Sequence, residues 1–260
     1  MKTLLKIIKD FPWFLWSGWG AIASIFLFLA LWDYGNKIYG DLVLPSPKSV
    51  FYALYTMFGN EVFRNNLFLT IKRALEGLGI SFVIGGFFGL FAGFFVTPSV
   101  ISRPIVTILV GIPPIAWIVM AMIWFGFGGT AVLFVIIVTS FPIVFAGALE
   151  GSRTIDGKFE ELCDAFVLTK FQKLTNLYIP HLFSYLFPSF VSALGMSWKV
   201  VVMAELLAAS DGIGVELGIA RTQLDTPAAL ALVCSMIIVL LFIEYVLLEP
   251  IRREAESWRG

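Results

Sequence analysis

Three ionisable residues stand inside apolar stretches of this chain: Lys199 and Glu205 in the run from about 182 to 207, and Glu244 in the run from about 227 to 248. Charged groups in such places line solute or ion paths, relay protons, or pair with one another. Lys199 and Glu205 are six residues apart, which is off the spacing of a helical i,i+4 pair, so they address different surroundings. An isolated acid such as Glu205 is chemically able to serve proton coupling. Glu244 falls near the end of its run, where snorkelling or pairing with Arg252 or Arg253 is the commoner outcome. Trp117, Trp124 and Trp198 join Lys199 and Glu205 as candidates for a translocation pathway, because an indole N–H in an apolar run needs a partner. Enzyme chemistry finds little support. His181 is the single histidine, which excludes a His-pair metal site from this chain alone, and neither HExxH nor GxSxG occurs. No phosphate loop is present either: Gly157-Lys158 is followed by Phe159, and position 152 is Ser rather than Gly. ATP binding is therefore not expected of this chain, and neither a cofactor nor a metal is.

The elements that position these residues are membrane spans. The chain has 260 residues, is 59% hydrophobic and only 14% charged, and has a mean hydropathy of +0.91; these values belong to membrane proteins rather than soluble domains. Its 18 basic and 18 acidic residues balance, so nothing points to nucleic acid. Cys163 and Cys234 have no metal-ligand spacing and read as two unrelated thiols. Lys2, Lys6 and Lys9 precede the uncharged run 11–32, which is longer than a signal-peptide core and reads as a retained first span. Residues 77–102 form a second uncharged run. Residues 104–149 form a third that is too long for one crossing, so two spans are predicted there, with a break at 125–130 and a kink at Pro113 and Pro114. The runs at 182–207 and 227–248 complete six spans and put both termini on one side. With that side cytoplasmic, eleven Lys and Arg lie inside and six outside, the outer group including Lys37, Lys48, Arg64, Lys72, Arg73 and Arg221. Trp13, Trp16, Trp19 and Trp32 are predicted in interfacial belts.

Helix packing is legible in one place. Gly77, Ser81, Gly85, Gly89 and Gly93 recur every four residues, a stripe that lets another backbone approach closely, within the chain or across a dimer.

The segment EELCDAFVLTKFQKLTNLYIP, residues 160–180, interrupts the apolar pattern. Nine charged residues fall between positions 150 and 173, yet Leu162, Ala165, Phe166, Leu168, Leu174, Leu177 and Tyr178 fall largely on one helical face. A predicted amphipathic helix on the cytoplasmic side must cover that face. Its mixed charges fit a partner's groove better than a membrane surface. Pro180 is expected to end the segment, with His181 opening the next span.

At these residues the chain resembles the membrane permease subunits of ABC importers. Their loop signature begins with a Glu, carries small residues and a Gly six positions on, and closes with aliphatic-x-aliphatic-Pro nineteen positions after the Glu. Glu161 and Leu177-Tyr178-Ile179-Pro180 match that spacing, with Cys163 at a small-residue position and Val167 at the Gly position. Pro45-Ser46-Pro47, Ile112-Pro113 with Ala116, Trp124-Phe125-Gly126-Phe127-Gly128, Phe141-Pro142 with Gly151, and SWKVVVMAELLAASDGIG at 197–214 resemble the branch that carries nitrate, aliphatic sulfonates, taurine and related nutrients. The resemblance covers positions 44–250 best. It implies an all-α membrane protein of type I ABC importer permease fold, one permease domain over 1–260 with its core at 66–250, and a coupling helix in the 150–180 loop between spans four and five. It also implies a second permease copy, two ATPase subunits carrying ATP and Mg, and an extracytoplasmic solute-binding protein. The residues implied to dock the ATPase are Glu161, Asp164, Ala165, Phe166, Leu168 and Pro180. For Lys199 and Glu205 it favours a structural or gating role over recognition of one solute.

Overall fold

The computed structural model describes residues 23–155 and 157–250, and the described residues form helices joined by short turns, with no strand among them. Helix α1 covers 23–39. The turn after it is held by side chains: the Trp32 indole N–H donates to Pro45 O at 2.8 Å and Asn36 Nδ2 donates to Leu44 O at 2.8 Å. Ser46 then caps α2 (Pro47–Gly59), its hydroxyl accepting from Ser49 N, and Pro47 stands where a missing N–H costs nothing. Val50 and Leu54 of α2 bury against Ala231. The Pro45-Ser46-Pro47 motif is thus a helix start. The first expected span, 11–32, lies mostly outside the described residues, as do Trp13, Trp16 and Trp19.

Helix α3 (Glu61–Phe94) starts at an Asn60 cap and runs 34 residues, about 51 Å at 1.5 Å per residue. Its start corrects the expected second span, which began only at residue 77. Charge counting hides the first four turns because they carry Glu61, Arg64, Lys72, Arg73 and Glu76; Lys72 pairs with Glu76 at 3.6 Å, and Arg73 is buried against acids from elsewhere in the fold.

The stripe of small residues decides how α3 packs. Its partner is α6 (Gly129–Arg153), within the same chain. A Cβ on Gly85 would meet Phe141 O at 2.9 Å and Val144 Cβ at 3.1 Å; one on Gly89 would meet Phe145 O at 2.5 Å and Ala148 Cβ at 2.7 Å. Gly77 faces Ile136 and Gly93 faces Ser152, while Ser81 Oγ lies 3.2 Å from Ile137 O. These pairs rise together in number, so α3 and α6 run parallel. A parallel pair requires the chain between to cross back, and α4 (Val96–Gly111) with α5 (Pro114–Phe125) makes that return, bent by 94°. The bend is far more than the expected kink. Each proline drives the residue before it into extended backbone, so Ile112 (ψ 122°) and Pro113 (ψ 143°) are both non-helical and the helix axis is lost between them.

Gly147 and Gly151 of α6 repeat the device against α9 (Ile179–Ala208), meeting Ser189 and Tyr185. The α6 helix is therefore the central element, clasped by α3 and α9. Helices α10 (Ile213–Thr222) and α11 (Thr226–Leu241) follow, with the Asp225 carboxylate capping α11. Among the described residues four helices are long and apolar enough to cross a membrane, Glu61–Phe94, Gly129–Arg153, Lys170–Ala208 and Thr226–Val246, and the α4–α5 pair, counted as one bent span, makes five.

Gly89→Ala is expected to destabilise the α3–α6 contact by about 1–3 kcal/mol, because its methyl group must displace Phe145 backbone. Gly79→Ala on the same helix meets no atom within 4 Å and gains up to about 1 kcal/mol of helix propensity. Thermal unfolding of the two variants in detergent separates the effects by sign.

Candidate functional site

One end of the bundle carries a linker that folds outward. Gly157–Ala165 form helix α7, with Cys163 buried beneath it. The helix stops at Val167, whose φ of 56° is left-handed, the conformation a glycine favours and the position where the loop signature has one. Thr169 then caps a short helix α8 (Lys170–Lys173) through a capping box with Gln172. Residues 160–180 are thus two helices rather than the single amphipathic one expected.

This break redistributes the apolar residues over two faces. Leu168, Leu177 and Tyr178 are half-buried, Tyr178 lining a cavity with Leu90 and Phe94 of α3, whereas Phe159, Leu162, Phe166, Val167 and Phe171 are exposed; Phe166 is 72% exposed and Phe171 73%. Two tethers fix α7 to α8 and to the turn that leads into α9. Lys173 Nζ bridges Asp164 Oδ1 at 2.5 Å, and the Tyr178 hydroxyl donates to Glu160 Oε1. Glu161 and Ala165 are exposed on α7 beside the apolar patch.

Pro180 corrects a second expectation. The helix does not end there: Leu174–Tyr178 form a π-helical turn and the chain continues unbroken into α9, giving an apolar helix over Lys170–Ala208. A proline lacks the N–H of an i→i−4 bond and crowds the carbonyl below it, and the widened turn just before Pro180 absorbs both defects. The outward linker and the α9 span therefore form one mechanical piece.

The opposite end of the bundle holds a buried polar cluster whose members are dispersed in the sequence. Glu205 of α9 is fully buried, and its Oε1 accepts from Arg73 Nη1 at 3.0 Å. Its Oε2 accepts from Thr70 Oγ1 at 2.8 Å and from Gly214 N at 3.1 Å. Arg73 Nη2 also bonds Asp211 Oδ1 at 2.6 Å, and Nη1 bonds Asp211 O at 3.0 Å. Asn66 joins on, accepting from Gly212 N at 3.1 Å and donating to Glu216 Oε1 at 2.8 Å. Gly212 is required here: its φ is +109°, and a side chain would overlap the Glu205 carboxyl group. Nearby, Gly128 N donates to Ala208 O at 2.6 Å, so the Trp124–Gly128 motif seals the end of α9. Arg73, counted from the sequence only as one of the six outer cations, is the centre of this cluster. The signal lay in the sequence: Asn66, Thr70 and Arg73 extend the face of Gly77, Ser81 and Gly85 by further steps of three and four.

The other expected pathway residues separate. Trp198 is buried in the core and its indole N–H donates to Met236 O at 2.9 Å, which ties α9 to α11. Trp117 is half-buried with its Nε1 unpartnered and its ring edge-on to Phe134, while Trp124 is exposed. Lys199 lies about 120° around α9 from Glu205, exposed, in a groove of about 360 Å³ between α6, α9 and α11.

Comparison with known proteins places this arrangement. Residues 85–250 match the family model described as the binding-protein-dependent transport system inner membrane component. The chain is 28% identical over 199 residues to the nitrate import permease protein NrtB of Synechococcus elongatus, covering 72% of this chain and 71% of that protein. It is 26% identical over 229 residues to the taurine transport system permease protein TauC of Escherichia coli, covering 86% and 83%. Among solved structures, a chain of the MetNI methionine ABC transporter in its inward-facing conformations matches with a TM-score of 0.59 at 19% identity, over 75% of this chain and 96% of that one.

Proposed function

The chain belongs to the binding-protein-dependent transport system inner membrane component family, and from that premise we propose that it forms the translocation pathway of an ATP-driven importer for a small anionic or heterocyclic nutrient such as a sulfonate, nitrate or vitamin precursor. It is a multi-pass inner-membrane permease subunit rather than an enzyme. Two copies of the chain would face each other, two ATPase subunits holding ATP and Mg would dock on the α7 end, and an external solute-binding protein would deliver solute to the α10 end. Both termini would be cytoplasmic, in keeping with eleven Lys and Arg on that side against six on the other.

The observation that carries this reading is the apolar patch of Phe159, Leu162, Phe166, Val167 and Phe171, presented on helices tethered to α9 and covered by nothing among the described residues. A patch of aromatic and aliphatic side chains left open on a soluble-facing linker marks a protein interface. A proton-coupled carrier built on Glu205 and Lys199 is the alternative, and the geometry disfavours it. Glu205 is held by three donors inside a packed cluster, with no room to exchange protons with a path. Reconstitution with the partner ATPases into vesicles tests the choice. Uptake is expected to need internal ATP and to survive collapse of the proton gradient; uptake that follows the gradient without ATP establishes the carrier instead.

A further inference from the structure

The groove that contains Lys199 also contains Glu244, and the two charges approach it from opposite walls. Its floor and walls come from α9 (Ser192, Gly195, Lys199), from Ile143 of α6, and from Leu240 and Glu244 of α11 and its continuation. Helices α9 and α11 run antiparallel, as the bond from Trp198 to Met236 and the shared packing of Leu194 with Leu240 and Ile243 require. A helical side chain leaves its Cα tilted toward its own helix's N-terminus. On antiparallel helices that rule brings Lys199 and Glu244 toward each other: Lys199 leans toward the α7 end and Glu244 toward the α10 end. Neither forms an ion pair within 4.0 Å among the described residues; Arg252 and Arg253, the partners expected for Glu244, lie outside them. An ammonium and a carboxylate thus face one cavity inside the spans, where charges mark functional positions.

Local backbone adds an independent pointer. Glu244 sits in the π-helical turn Phe242–Leu248, its carbonyl accepting from Glu249 N in the widened register. Such turns are rare and concentrate at functional positions, because the extra residue rotates one side chain out of the helical repeat. The groove wall is also kept low: Gly195 has nothing within 4 Å of its missing Cβ, and Ser192, about two turns from Lys199 on the same face, turns its hydroxyl back to donate to Pro188 O at 2.9 Å.

We propose that this groove is a solute site for a small zwitterion, with Lys199 taking its oxyanion and Glu244 taking its ammonium. This rests on the reading of the chain as a solute-conducting permease and replaces the simple anion of that reading with a solute that carries both charges. A simple anion gains the attraction of Lys199 but meets the Glu244 carboxylate in the same low-dielectric space, whereas a molecule with both charges satisfies both walls and leaves the cavity neutral. Repulsion of the half-matched ligand makes the site selective as well as attractive.

Site accessibility tests this without any transport step. In membrane-embedded chain with Cys163→Ala and Cys234→Ala, Ser192→Cys is labelled with a charged, water-soluble maleimide in the presence of 2-aminoethanesulfonate, ethanesulfonate or ethylammonium. The zwitterion is expected to slow labelling at least five-fold and the two single-charge probes less than two-fold. Lys199→Met and Glu244→Gln, each added separately, are expected to abolish the protection. Equal protection by ethanesulfonate, or protection that survives both substitutions, overturns the assignment. So does an introduced thiol that reacts only with a lipid-soluble maleimide, which makes the groove a lipid-facing surface. Because labelling needs no ATP, its failure is separable from a failure of the ATP-driven reading, which shows in vesicle uptake alone.

Discussion

Arg73→Met is expected to lower the stability of the folded chain by about 3–5 kcal/mol, because it leaves the fully buried Glu205 carboxylate without its cation. Thr70 and Gly214 still donate to that carboxylate, but two neutral donors do not offset a charge removed from water. The loss also reaches beyond one pair, since Arg73 joins α3 to the end of α9 and to the Asp211 turn that leads into α10. A second substitution isolates the electrostatic part. Glu205→Gln in the Arg73→Met background removes the stranded charge while keeping an oxygen that accepts from Gly214, so the double variant is expected to be more stable than Arg73→Met alone. Unfolding by denaturant in detergent, followed through the buried Trp198, reads both differences. If Arg73→Met unfolds at the wild-type midpoint, the cluster contributes nothing to the fold.

The same cluster marks where the sequence stops being readable. Spans are legible wherever charge is absent, so counting finds the α6, α9 and α11 regions and the break at 125–130. Counting fails where a charge is cancelled by a residue distant in the chain: Arg73 and Glu205 are 132 positions apart, and neither announces the other. The stripe from Gly77 to Gly93 is legible as a close-packing face, but its partner, α6 rather than a second copy, is a tertiary fact. At the linker, helical periodicity points to one amphipathic helix. A single left-handed residue, Val167, splits it; only the glycine position of the loop signature points there, and helical periodicity does not show the break. Prolines mislead in both directions. Two in succession at 113 and 114 turn the chain through 94°, while Pro180 passes inside a continuous helix because a π-helical turn precedes it. What a proline does depends on the register around it, which is set by packing.

Leu162→Asp combined with Phe166→Asp is expected to reduce ATP-driven uptake at least 100-fold while the chain folds and inserts as before. Both side chains are more than half exposed, at 52% for Leu162 and 72% for Phe166, so the permease loses little packing. In the assembly proposed above they are buried in an ATPase groove, and a carboxylate forced into that groove costs several kcal/mol. At about 1.4 kcal/mol per ten-fold, a loss of two orders of magnitude in docking needs less than that. Asn176→Asp places one such carboxylate on the same linker but away from the patch, and is expected to keep at least half of the uptake. Co-purification of the ATPase with each variant, alongside uptake, assigns any loss to docking. The effect should be all the larger because the patch lies on a lever: Asp164 with Lys173 and Glu160 with Tyr178 bind α7 to a helix that runs without interruption past Lys199 to Glu205. Movement applied at α7 then reaches the groove and the far cluster through one rigid element. Uptake within two-fold of wild type in the double-Asp variant would mean that force enters the permease somewhere other than α7.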